Sequence, residues 1–193
     1  MADTTPTYDL PFLELGDAPD IASGLEDLAT AVETELIRID ADVAKVNGLS
    51  TVVASDTNTE GPYSNTTATS GTNVCGVAFT APASGAVLVH WKADFWSSQT
   101  DKVSFVSMEV RTGATVTAGA GSGSQVVASN SNDALKVSGT VTSGVEARLG
   151  AGTFRLITGL TPGNSYHVRL MHFTEASGNI TVFYRQVVVQ PML

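Results

Sequence analysis

The chain has 193 residues, 42% of them hydrophobic, with one cysteine and a formal net charge of −9. That is enough for one globular domain with an appendage; the single Cys75 rules out a disulfide within the chain, and the acidic balance disfavours nucleic acid, which asks for clustered Lys and Arg. The charge is divided unevenly: residues 1–60 carry 13 acids against Arg38 and Lys45, a net of −11, whereas residues 61–193 carry 6 acids against 8 bases, a net of +2.

The chain opens on a proline-punctuated arm, residues 1–18, in which Tyr8, Leu10, Pro11, Phe12 and Leu13 crowd apolar area into a segment with too little local structure to bury it. Such an arm is expected to be extended and to dock on another protein. The start of the chain lacks the basic and apolar character of a secretory signal, so synthesis in a cytoplasm is expected.

From Ile21 the apolar residues fall at Leu25, Leu28, Val32, Leu36, Ile39, Val43 and Val46, at spacings of three and four. That periodicity predicts a helix over 21–47. Pro19 and Asp20 before it and Gly48 after it supply start and stop signals. The stripe is narrow and its other faces are polar, so a parallel coiled coil with copies of itself is expected over 19–47, of two or three strands. The consecutive spacings of four break the heptad with a stutter. The alternative is an amphipathic helix packed on its own head.

A Thr/Ser/Asn-rich connection over 48–73 is expected next, then a β head over 74–193. Residues 87–96 alternate: Val87, Val89, Trp91, Ala93 and Phe95 on a core face, Leu88, His90, Lys92, Asp94 and Trp96 on the other. Further runs at 103–110, 152–157, 165–173 and 180–189 are separated by the turn signals Pro82 to Gly85, Thr161 to Asn164 and Ala176 to Asn179. The fold class is therefore mostly β, a sandwich preceded by an arm and a helix.

Three resemblances follow, two from the head and one from the start of the chain. The segment Leu160 to Val168, with Pro162, Gly163 and Tyr166, resembles the tyrosine corner of fibronectin type III domains. Over Val74 to Leu193, the Phe79, Pro82, Gly85 spacing entering a strand and the late Gly163, Tyr166 strand look more like the trimeric jelly rolls of the tumour-necrosis-factor and complement-collagen-like families. The resemblance implies a jelly-roll head on a threefold axis. At the other end, Tyr8 to Asp20 followed by Leu25, Leu28, Ala29 and Val32 resembles the start of small tail-fibre or minor tail proteins of phages infecting actinobacteria, with Phe12 where tyrosine is usual. What this implies is a virion appendage: an attachment arm, a trimeric stalk through Leu25 to Val46, and a head that binds a host-surface glycan or protein. A capsid decoration or head fibre would use the same parts, and a cellular adhesion or ligand-binding module is the alternative from another class.

No convergent catalytic group, cofactor or metal set is expected. His167 and His172 are five apart, on opposite faces of one strand. Cys75 reads as a small buried hydrophobe. The Gly119 to Gly123 stretch lacks a following Gly-Lys-Ser/Thr, which leaves a flexible loop. Residues for receptor contact are sought in Trp96, at a strand end, and in Asn130, Asn132 and Asp133 of a polar loop.

Overall fold

The computed structural model describes residues 3–4, 11–12, 21–47, 49–97, 99, 101–138, 148–176 and 178–193. They form two compact units, 1–48 and 49–193.

In the first unit β1 (Asp3–Thr4) pairs antiparallel with β2 (Pro11–Phe12), Asp3 opposite Phe12 and Thr4 opposite Pro11. The arm expected to be extended thus doubles back on itself, and the proline is tolerated because a two-stranded ribbon is all edge. Helix α1 spans Ile21–Asn47, 27 residues and about 40 Å at 1.5 Å per residue. Arg38 bonds Glu35 one turn before it and Asp42 one turn after it, at 2.5 and 3.2 Å. Such pairs each add a few tenths of a kcal/mol, and the helix needs them because Thr30 and Thr34 spend their hydroxyls on the carbonyls of Glu26 and Thr30.

The second unit contains β3 (Val52–Asp56), β4 (Glu60–Tyr63), β5 (Gly76–Thr80), β6 (Val87–Ser97), β7 (Val103–Thr112), β8 (Gln125–Val127), β9 (Leu135–Ser138), β10 (Leu149–Ile157), β11 (Ser165–Thr174) and β12 (Ile180–Pro191). They form two antiparallel sheets, consistent with a β-sandwich. One runs β10-β6-β12-β3, with β4 sharing the edge of β12 with β3; the other runs β5-β11-β7-β8, with β9 sharing the edge of β7. Four pairings nest inside one another: β3 with β12, β5 with β11, β6 with β10 and β7 with β9. The segment expected as a connection over 48–73 contributes β3 and β4 to the sheet.

Strand β6 alternates as its sequence requires. Val87, Val89, Trp91, Ala93 and Phe95 point into the core, against Val106, Met108, Val110, Val168 and Leu170 of the second sheet. Strands β7 and β11 are buried on both faces. The outer face of their sheet is covered by the chain itself. Arg169 and Glu109, both fully buried there, form an ion pair, and Arg169 also donates to the carbonyl of Thr117 at 2.6 Å. Arg111 donates to the carbonyls of Ser122 and Gly123 at 2.9 and 2.7 Å. The Gly119 to Gly123 stretch expected as a flexible loop therefore belongs to a strap, Gly113 to Ser124, fastened across the sheet by two arginines.

Candidate functional site

Helix α1 carries its apolar stripe uncovered. Leu25 is 60% exposed, and Leu28, Val32, Leu36, Ile39 and Val43 are all exposed with it. Ile37, outside the expected seam, is exposed as well. Among the described residues of the unit nothing covers these apolar side chains, and burying each is worth about 1.5–3 kcal/mol. Of the other residues singled out in this unit, Tyr8, Leu10 and Leu13 and the side chains of Pro11, Phe12 and Val46 lie outside the described residues.

A second uncovered apolar surface lies on the outer face of the β10-β6-β12-β3 sheet. Strand register aligns Phe154, His90, Val188 and Val53 in one row across the four strands, with Leu156 and Leu88 in the next. Phe154 is 65% exposed, Leu156 and Val53 each 53%. Strand β10 turns Leu149, Ala151 and Ile157 onto the core but is inverted between them: Thr153 and Arg155 face inward, while Phe154 and Leu156 face out. Arg155 can sit on the inner side because Asp133 meets its guanidinium at 2.6 Å. A shallow cavity of about 300 Å³ opens beside the first row, lined by His90, Lys92, Gly152, Phe154, Gln186 and Val188. The His90 ring lies 5.7 Å from that of Phe154. The polar margin is internally matched, with Arg148 bonding Asp94 at 3.0 Å and stacking over Phe183, and Lys92 leaning over Tyr184.

Between the sheets lies a polar cluster that the sequence did not announce. Glu60 accepts from the Tyr63 hydroxyl and from the backbone N–H groups of Thr72 and Asn73, the latter two at 3.1 and 2.7 Å. Burial alone would raise its pKa, but these bonds hold it below the ordinary carboxylate value. The His172 ring packs 4.6 Å from that of Tyr63; burial, and secondarily the nearby Arg185 guanidinium, push its pKa down to about 4. Arg185, fully buried, pairs with Asp56. Cys75 is buried, its thiol pushed up to about 11 by desolvation, which removes it as a nucleophile. Glu60 and Asp56 are tied to neighbouring side chains and backbone, whereas His172 Nε2 and Arg185 Nε and Nη1 are buried without a hydrogen-bond partner. Among the described residues no group of three or more His, Cys, Asp or Glu could hold a metal ion, and no helix is long and apolar enough to cross a membrane.

The residues sought for receptor contact separate. Trp96 is half-buried and its indole nitrogen is fully buried, so it is not an open stacking platform. Asn130 is used locally: its side-chain oxygen accepts from the N–H groups of Asn132 and Asp133 at 2.8 and 3.0 Å, and its amide donates to Asp133. Asp133 is engaged with Arg155, which leaves Asn132, exposed at the tip, as the free member of the loop. His167 and His172 lie on opposite faces of β11, as their spacing requires; His167 Nδ1 lies 2.8 Å from the carbonyl of Gly113 beneath the strap.

No family model matches the chain, and no curated protein matches it. Among solved structures, the one titled "Structure of infectious bursal disease virus Gx strain" is similar over 73% of this chain at 9% identity and a TM-score of 0.36. This chain spans 31% of that chain's length.

Proposed function

We propose that the chain is a non-enzymatic structural appendage of a tailed phage, a homotrimer in which residues 1–18 attach to other virion proteins, α1 forms a three-stranded stalk and the sandwich is a receptor- or glycan-binding head. The observation that carries this reading is the exposed apolar stripe of α1. A helix of 27 residues with polar flanks and a narrow unburied seam has no broad face for a globular core, and it gains stability when copies cover one another. The nested strand pairing supports a jelly-roll head, because a ribbon of antiparallel strands wound once around the sandwich pairs first with last and works inward. The virion assignment rests on the resemblance at Tyr8 to Val32. Three heads per appendage would convert weak single-site binding into useful avidity without a deep pocket, which suits a surface whose loop tips, Asn132 among them, are shallow and polar.

The test is composition of particles. Purified virions produced from a genome encoding this chain should contain it, and particles lacking it should adsorb poorly to their host. Its absence from purified particles would contradict the reading. Presence together with unaltered adsorption would move it to a capsid decoration, built from the same parts.

A further inference from the structure

The two sheets of the head are treated differently by their own chain. The sheet containing β7 and β11 has its outer face roofed by the strap from Gly113 to Ser124, whereas the outer face of the β10-β6-β12-β3 sheet is uncovered and more apolar. We propose that this uncovered face is a contact surface for a second copy of the chain, centred on Phe154, Leu156 and Val53. The proposal rests on the oligomeric reading above and names the surface through which the heads meet.

Four observations point to a copy of the chain as occupant. The inverted polarity of β10 is the first. A strand between water and a core should turn Phe and Leu inward; β10 turns Thr153 and Arg155 inward and spends an ion pair with Asp133 to do so. The arrangement makes sense when protein lies on the outer side as well. Second, Gly150 and Gly152 sit on this same outward face of β10, opposite Asp94 and Lys92, yet a Cβ would meet nothing within 4 Å at Gly150 and only ordinary contact with Lys92 and the Trp91 carbonyl at Gly152. Neither glycine is required by its own fold, and strand glycines of that kind mark the close approach of another backbone.

The third observation is electrostatic. Asp94 is already paired with Arg148, so a second copy covers that carboxylate without isolating it, and Lys92 lies over Tyr184 at the margin, where a long side chain keeps its ammonium in water. A glycan would instead call for free, convergent polar groups, and the rows centred on Phe154 and Leu156 are mainly apolar. The fourth is connectivity. Four residues, 48–51, join α1 to β3, a span of at most about 14 Å when fully extended. Where copies of α1 associate in parallel, as the proposed stalk requires, their β3 strands are delivered close together, and Val53 of the uncovered row belongs to β3.

The full-length chain carrying Val53→Cys tests this by maleimide labelling across a dilution series, with solution mass read in parallel. Cys75 is buried, so native-state labelling reports position 53. Labelling is expected to be at least tenfold slower in the oligomer than in the dissociated chain. Adding Phe154→Asp and Leu156→Asp should restore fast labelling and raise the dissociation midpoint at least tenfold, with circular dichroism unchanged. If the doubly substituted chain does not fold, the protection of Val53→Cys alone decides. An oligomer that labels at position 53 as fast as the dissociated chain overturns the proposal and leaves the face to another occupant, while the stalk reading survives. A chain monomeric at every concentration overturns both.

Discussion

The backbone N–H of Thr161 donates to the phenol oxygen of Tyr166 at 3.0 Å. This bond closes the corner where the chain leaves β10 in one sheet and enters β11 in the other. Around it Gly163 adopts a φ of 78° and donates its N–H to the carbonyl of Ala81 at 2.9 Å, the Ala81 N–H donates to the carbonyl of Asn164 at 2.9 Å, and the Tyr166 ring stacks on Phe79 at 5.9 Å. Removing the hydroxyl while keeping the ring, Tyr166→Phe, should cost about 1 kcal/mol, the worth of one partly buried hydrogen bond. Urea unfolding should show a lower midpoint with an unchanged slope.

The buried Arg169–Glu109 pair anchors the strap over the outer face of the second sheet. Arg169→Met leaves the buried Glu109 with only Gln125 at 2.8 Å and the more distant Arg111 at 3.7 Å, and should destabilise the head by about 3 kcal/mol, the low end for a broken buried pair. Combining it with Glu109→Leu removes both charges and should recover much of that loss. Thermal melts of the two variants check the order: the double variant should melt above the single one.

Acid should weaken the head through His172. The unfolded chain takes up the proton near the ordinary imidazole value of 6.5, the native state not until about 4. Stability contributed by the neutral ring is thus complete above 6.5 and falls as pH drops toward 4, by on the order of 3 kcal/mol in all. Glu60, held below its ordinary 4.5, adds an acid loss of the same sign that begins only below that value. Between pH 6.5 and 5 the slope therefore reports His172, and His172→Gln should flatten it when urea midpoints are plotted against pH.

Cys75 should be inert in the native state. Its thiol is buried and pushed up to about 11, so a disulfide reagent at pH 8 should react with it only as the head unfolds. Rapid stoichiometric reaction under native conditions would show that the core opens at that end.

Much of this architecture was legible from residue spacing. The helix bounds at Ile21 and Asn47 follow from apolar periodicity between turn signals, and the core face of β6 from strict alternation over Val87 to Phe95. The strands β3 and β4 were hidden because Val52 to Tyr63 is rich in Thr, Ser and Asn, whose short side chains suit loops and edge strands equally. The polarity of β10 was illegible for a stronger reason. Sequence alone assigns Phe154 and Leu156 to a core, and only the register against His90 and Leu88 turns them outward. The polar cluster of Glu60, Tyr63, His172 and Arg185 is assembled from strands up to 125 residues apart, a distance no local pattern encodes. For the receptor loop, the pairing of Asp133 with Arg155 is likewise a tertiary event, and it withdraws from the surface a residue that composition placed there.

The seam of α1 carries the central claim, and solution mass measured by light scattering tests it most directly. The full chain, 20.0 kDa as a monomer, should run as a trimer of about 60 kDa at micromolar concentration, and Leu28→Asp with Ile39→Asp should lower that mass or shift its dissociation to higher concentration. A wild-type mass of one chain across that range, with the helix intact by circular dichroism, would contradict the account.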